Sequence, residues 1–351
     1  MSLEVKKKIF FHIGFPKTAS THLQTYLFSK HSQINYVSGP LENEKNYFIM
    51  KMHEKNYFIM NPSLKKSIWR MNDKEFNNSY KELLSKLNTI SSSLDDNKCN
   101  ILSNEFFLQR FFIKEWEYDP FKGLLRLISL FNKANIDLNF FFLIRNHGTI
   151  IPSFYYQGSV HYHLKEYSIN ANEIIEYFQT GKNNNTKVSK IVFDNFNYAK
   201  LYNYLSSHLK PDKIKICLYE DLANNKEEFY SDLSNYLKID TSETKKLLHN
   251  KKRIHVTGDK MKFNKLNYLI YKNLKQPKNL CNHFFRKLNS LVKFLFVERN
   301  KETYRKSEQK RKNDGYKKIK QNSQLIKKYY REDCLKLEKK LHLGLDQYDY
   351  F

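Results

Sequence analysis

Four short segments built around apolar residues dominate the hydrophobic pattern of this chain, and the last three are followed by polar residues. They cover residues 8–13, 100–103, 138–144 and 213–218, and stretches with helix-like apolar spacing lie between them. Short continuous apolar runs are typical of strands that are buried on both faces of a parallel sheet. Their alternation with helical segments predicts a P-loop-like three-layer α/β/α fold with a mostly parallel sheet of four or five strands.

The same pattern predicts helices over 149–160 and 226–237, and a last helix from residue 323 onward. We therefore expect an α/β domain over 1–262, followed by a basic helical extension over 263–351 that packs on or covers the cleft. The residues expected to dock the last helix are Leu335, Leu337, Leu341, Leu343 and Leu345.

The first apolar run leads into a loop that predicts an anion site, Gly14-Phe15-Pro16-Lys17-Thr18-Ala19-Ser20-Thr21. A helix that begins near Ser20 or Thr21 presents unpaired backbone N–H groups at the positive end of its dipole, where a phosphate fits. Lys17 adds a mobile positive charge, and the nearby hydroxyls can donate hydrogen bonds or cap the helix. Ala19 would strain the turn if its position requires a positive φ.

The order Pro-Lys-Thr-x-Ser-Thr resembles the 5′-phosphosulfate loop of sulfotransferases that use 3′-phosphoadenosine 5′-phosphosulfate (PAPS). Two later pairs are similar to the same family: Arg145 with Ser153 eight residues on, and Arg253 with Gly258 five residues on. These matches span roughly the first three quarters of the chain. The cofactor-binding residues that the resemblance implies are Pro16, Lys17, Thr18, Ala19, Ser20 and Thr21 for the 5′-phosphate, and Arg145, Ser153, Arg253 and Gly258 for the 3′-phosphate and adenosine.

The resemblance implies transfer of a sulfuryl group from PAPS to a hydroxyl or amine, with adenosine 3′,5′-bisphosphate as the product and no metal. Lys17 would neutralise the charge that grows on the leaving phosphate oxygen. Glu105, at the carboxyl end of the predicted strand 100–103, matches by position the glutamate base of several carbohydrate sulfotransferases. His12, beside the loop, is the alternative base. We expect a carbohydrate or glycolipid acceptor.

The positive net charge of the chain indicates anionic partners and is compatible with functions other than sulfuryl transfer. The chain carries a net charge of +25, most of it within 251–351, and a basic surface of this kind attracts acidic glycans or membrane headgroups. No apolar run is long enough to span a membrane, and the first residues lack the apolar core of a signal peptide. We therefore expect a cytoplasmic protein with peripheral membrane contact through the basic C-terminal region, and no nucleic acid partner.

The alternatives to a sulfotransferase are a P-loop-type small-molecule kinase and a non-enzymatic polyanion- or membrane-surface-binding protein.

Overall fold

The computed structural model describes residues 6–37, 60–61, 66–68, 71–104, 120–161, 171–181, 193–194, 196–249, 310 and 312–351.

A parallel sheet of five strands lies at the centre of the fold, in the order β2-β5-β1-β6-β7. A two-stranded antiparallel ribbon, β3 with β4, is separate from it. The predicted α/β class and mostly parallel sheet are confirmed. The strands are β1 (Lys7–Ile13), β2 (Ile34–Tyr36), β3 (Met60–Asn61), β4 (Lys66–Ser67), β5 (Cys99–Asn104), β6 (Ile136–Ile144) and β7 (Ile214–Leu218).

Helices cover both faces of the sheet, and 226–237 is helical with the predicted bounds. None of the helices in the described ranges is long and apolar enough to cross a membrane. The helices are α1 (Ser20–Leu23, continued as a π-helix over Gln24–Phe28), α2 (Asp73–Ser92), α3 (Pro120–Lys133), α4 (His147–His161), α5 (Ala171–Thr180), α6 (Tyr198–Ser206), α7 (Tyr219–Asn224), α8 (Lys226–Leu237), α9 (Thr241–Leu248), α10 (312–321) and α11 (Ser323–Leu341), with 3₁₀ turns at Pro211–Lys213 and Leu345–Tyr348.

Alternate residues of the central strand β1 enter two different hydrophobic clusters, because successive side chains of a strand point to opposite faces. Ile9, Phe11 and Ile13 pack with α2 to α6 and α11. Phe10 packs with α1, α8 and α9. His12 lies on the same face as Phe10, below the helix that follows the Lys17 loop.

The last long helix, α11, packs on α4 and α6 within the larger cluster. The leucine pattern predicted its docking face only in part. Leu337 and Leu345 are buried, whereas Leu335 is 36% exposed, because residues two apart cannot share a helix face. The buried apolar residues of α11 are Ile326, Tyr330, Cys334 and Leu337, and the predicted Leu341 and Leu343 pack against the same cluster while partly buried. The predicted boundary at residue 262 lies outside the described residues.

Candidate functional site

The loop between β1 and α1 holds two L-residues in a left-handed backbone conformation. Lys17 has φ 66° and Ala19 has φ 65°, and such a residue costs about 1–2 kcal/mol. Thr18, between them, is buried and donates its hydroxyl hydrogen to the Phe15 carbonyl at 2.8 Å. Alternating left-handed residues turn successive N–H groups toward one concavity, which is an arrangement that binds anions. Strain of this kind is concentrated at functional sites.

The conformation of Ala19 leads to a prediction about stability. Glycine adopts φ 65° without the steric cost of a Cβ, so we expect Ala19→Gly to raise the free energy of unfolding by about 0.5–1 kcal/mol. Chemical denaturation of the variant measures this change. Ala199→Gly in α6 is the matched control, and we expect it to lower the free energy of unfolding by about 1 kcal/mol. A loss of stability in Ala19→Gly would contradict the left-handed assignment.

Arg145 directly follows β6, the strand next to β1, and its side chain contacts this loop. Its Nη1 donates to the Lys17 carbonyl at 3.0 Å, across 128 residues of sequence, and its Nε donates to Thr149 Oγ1 at 3.0 Å. The guanidinium lies 4.4 Å from the centroid of the Tyr219 ring, a cation–π distance. Tyr198 donates its hydroxyl hydrogen to the Arg145 carbonyl at 2.8 Å. The two cationic residues that the sequence predicts to share a site are therefore in direct contact.

Two predicted serines lie on the helices that follow these two strand ends. Ser20 opens α1 and is 4% exposed, and within the described part of the chain its Oγ has no hydrogen-bond partner. A buried hydroxyl without a partner is costly and is normally satisfied by water or a ligand. Ser153 is buried in the second turn of α4, the helix that begins two residues after Arg145. Thr21 is half-buried in the first turn of α1, and Pro16 is buried in the loop.

His12 lies beneath the loop in a buried polar cluster. Its Nδ1 is 2.8 Å from Ser103 Oγ, and Gln24 Nε2 donates to the same oxygen at 2.8 Å. Burial lowers the pKa of His12 to about 3, so the imidazole is neutral at physiological pH. Ser103 and Gln24 were not predicted as partners of His12. The spacing of Ser20 and Gln24, four residues apart on one helix face, is the one signal in the sequence. Ser103 lies beside His12 only through the pairing of β1 with β5, which the sequence does not reveal.

The other predicted site residues, Glu105, Arg253 and Gly258, lie outside the described residues and stay predictions. Among the residues that the structure does describe, no group of three or more His, Cys, Asp or Glu side chains could hold a metal ion.

No protein-family model matches the chain, and no curated protein matches it significantly. Among solved structures, the chain is similar to a sulfotransferase from Alicyclobacillus acidocaldarius, with TM-score 0.38, 13% identity and coverage of 76% of this chain and 90% of that one. It is also similar to the sulfotransferase domain of the curacin biosynthetic pathway, with TM-score 0.35, 16% identity and coverage of 72% and 81%. The sulfotransferase domain of the Synechococcus PCC 7002 olefin synthase gives TM-score 0.35, 13% identity and coverage of 77% and 86%.

Proposed function

We propose that the chain is a PAPS-dependent sulfotransferase that moves a sulfuryl group to a hydroxyl or amine of a carbohydrate or glycolipid acceptor. The observation that carries the proposal is the hydrogen bond from Arg145 Nη1 to the Lys17 carbonyl. This bond joins Arg145, the cation expected at the 3′-phosphate, to the backbone of Lys17, the cation expected at the 5′-phosphate. A nucleotide with phosphates at both ends of its ribose has the charge pattern that two such cations bind.

In this proposal, the side chains and backbone N–H groups of the loop have different roles in the reaction. The sulfuryl group leaves a phosphate oxygen of PAPS and bonds to the acceptor oxygen, while the acceptor proton passes to a base. Lys17 neutralises the negative charge that the leaving phosphate gains. Ser20, Thr21 and the loop N–H groups hold the 5′-phosphate. Thr18 contributes its backbone N–H, because its hydroxyl hydrogen is already donated to Phe15.

The 3′-phosphate is assigned to Arg145, Ser153 and Arg253. For the base we prefer Glu105 over His12. His12 is fully buried, and a group whose pKa is about 3 is a weak base at neutral pH. Glu105 directly follows β5 in sequence, and ligands of parallel α/β sheets bind at the carboxyl ends of the strands, where a glutamate would take the acceptor proton.

Selective nucleotide binding tests the proposal. We expect adenosine 3′,5′-bisphosphate, without metal, to raise the thermal unfolding temperature, because a ligand at 100 times its Kd stabilises the native state by about 2.7 kcal/mol. We expect Arg145→Ala to weaken this binding by about 10–100-fold, since a hydrogen bond to a charged group contributes about 1.5–3 kcal/mol.

Arg331→Ala, at an exposed position of α11, is the matched control and should bind like the wild type. Stabilisation by ATP with magnesium, and none by adenosine 3′,5′-bisphosphate, would favour the small-molecule kinase. Stabilisation by neither, together with binding to heparin or to acidic vesicles, would favour the polyanion- or membrane-binding alternative.

A further inference from the structure

The seven residues after α11 and its glycine turn, 345–351, form a segment that crosses the loop after β6. We call it the C-terminal strap. Leu345 and Tyr350 are fully buried in the larger hydrophobic cluster. The Glu338 carboxylate of α11 accepts hydrogen bonds from Gly344 N at 3.2 Å and Leu345 N at 3.0 Å. Lys327, buried on the same helix, donates to the Asp349 carboxylate. The strap is therefore fixed to the body of the protein at both ends.

Asn146, the residue next to Arg145, is bonded to the strap through its side chain. Its Nδ2 donates to the Tyr348 carbonyl at 2.9 Å and to the Asp349 carbonyl at 2.6 Å. Its Oδ1 accepts from Gly148 N at 2.8 Å, in the first turn of α4. Both amide hydrogens of Asn146 are thus used by the strap. The side chain joins the strap to the start of the helix that carries Thr149 and Ser153.

Glu220 makes a second connection between the same two segments. One carboxylate oxygen accepts from Asn146 N at 3.0 Å, and the other accepts from the Tyr350 hydroxyl at 2.8 Å. Burial raises the pKa of Glu220. The hydrogen bonds from Asn146 N and the Tyr350 hydroxyl offset the free-energy cost of burying the Glu220 carboxylate. Loss of the Tyr350 hydroxyl therefore also disturbs the bond from Asn146 N.

From these contacts we infer that the C-terminal strap is the positioning element for Arg145, and through Arg145 for the 3′-phosphate of the nucleotide. The inference rests on the proposed function. Arg145 follows the fully buried Ile144 and precedes Asn146, whose backbone N–H and side chain are both held by Glu220 or the strap. Movement of the strap would displace Asn146, and the guanidinium would lose its position over Tyr219 and against Lys17.

Tyr350→Phe tests the inference, because it removes the hydroxyl and leaves the ring in the core. We expect it to raise the Kd of adenosine 3′,5′-bisphosphate by about 3–10-fold, the loss expected for one hydrogen bond. The Kd of adenosine 5′-monophosphate, which has no 3′-phosphate, should not change. In an Arg145→Ala background, Tyr350→Phe should have no further effect on either Kd.

Tyr177→Phe is the matched control. Tyr177 is equally buried, and its hydroxyl bonds to Tyr329 at 2.7 Å, with no connection to Arg145 in the described contacts. We expect it to lower the unfolding midpoint about as much as Tyr350→Phe does, and to leave both Kd values unchanged. A second measurement needs no ligand: hydrogen exchange of the peptide 145–150 should accelerate in Tyr350→Phe and not in Tyr177→Phe, since Asn146 N donates to Glu220.

The outcomes separate the two proposals. If the bisphosphate binds the wild type and Tyr350→Phe changes neither its Kd nor the exchange of 145–150, the strap does not position Arg145 and the proposed function stands. If exchange accelerates but the bisphosphate does not bind, the structural link stands and the nucleotide assignment is wrong. If both adenosine nucleotides lose affinity equally in Tyr350→Phe, the effect does not pass through the 3′-phosphate, and the inference is overturned.

Discussion

Lys17→Ala is expected to lower the turnover number for sulfuryl transfer by about 10²-fold or more, the loss seen when a main transition-state donor is removed. In the proposed reaction, the lysine acts on charge that develops on the leaving phosphate oxygen, so its effect would belong to the chemical step rather than to ground-state binding. Alanine keeps a Cβ at φ 66°, so the backbone cost of the loop is the same in both proteins. Transfer of labelled sulfate from PAPS to a panel of simple sugars measures the change.

The affinity for adenosine 3′,5′-bisphosphate should fall much less than the turnover number, because Arg145 keeps its contact with the backbone carbonyl of residue 17. Lys30→Ala is the control for a loss of positive charge, since Lys30 is exposed at the end of the same helical segment. Full turnover in Lys17→Ala, with an acceptor that the wild type sulfates, would exclude Lys17 from the chemistry.

The second large effect is a loss of stability in acid. Burial lowers the pKa of both His12 and His147 to about 3. His147 is stacked between Tyr330, at a ring distance of 3.9 Å, and Tyr198, at 4.6 Å, and its Nε2 is 2.8 Å from the Phe196 carbonyl. Both side chains are fully buried, so bulk solvent does not stabilise a positive charge on either ring.

The sign of the effect follows from the lowered pKa. In the unfolded chain both histidines take up a proton near pH 6.5, whereas in the native state they remain neutral down to about pH 3. Their contribution to stability is therefore complete above pH 6.5 and is lost as the pH falls toward 3. Each histidine contributes a slope of about 1.4 kcal/mol per pH unit. Together they should remove about 5 kcal/mol between neutral pH and pH 4.5, a large part of the stability of an ordinary domain.

Urea denaturation at a series of pH values measures this slope. His147→Gln keeps a donor for the Phe196 carbonyl but does not titrate, so its slope below pH 6.5 should be smaller by about 1.4 kcal/mol per pH unit. His208→Gln, at an exposed position, is the matched control for the substitution. Burial raises the pKa of Glu220 and of Asp333, so these carboxyl groups stabilise the native state as the pH falls, opposite to the histidines. The quantity to compare is therefore the difference between the wild type and His147→Gln in the slope of the unfolding free energy against pH. Equal slopes in wild type and His147→Gln would show that His147 is charged in the native state.

The sheet was largely predictable because four of its strands have an apolar centre, from the pair Ile101 and Leu102 in β5 to the run 140–144 in β6. Such segments are typical of buried strands in a parallel sheet. The edge strand β2 was missed since it has only three residues, and the β3–β4 ribbon has two residues in each strand. The loop at Lys17 was predictable for a different reason. Its chemistry depends on residues that are adjacent in sequence, and the strain expected for Ala19 if its φ were positive is present, at φ 65°.

Roles that depend on a distant partner were the ones that sequence reasoning could not assign. Glu220 and Asp221 accept hydrogen bonds from Tyr350 and Tyr348, about 130 residues away, and Glu220 also accepts from Asn146 N. His12 was a candidate base until its burial beside Ser103 and Gln24 was known.

The sequence by itself determined the α/β class, the position of the loop around Lys17 and the placement of Arg145 at a strand end, because local hydrophobic periodicity and loop chemistry act over a few residues. Only the tertiary structure decided that Arg145 bonds to Lys17, that His12 is buried and neutral, and that residues 345–351 hold Asn146. Each of these contacts joins residues roughly 90 or more positions apart, or follows from burial that such contacts create. Desolvation and hydrogen-bond geometry are set by the packing of the whole chain and leave no periodic signal along it.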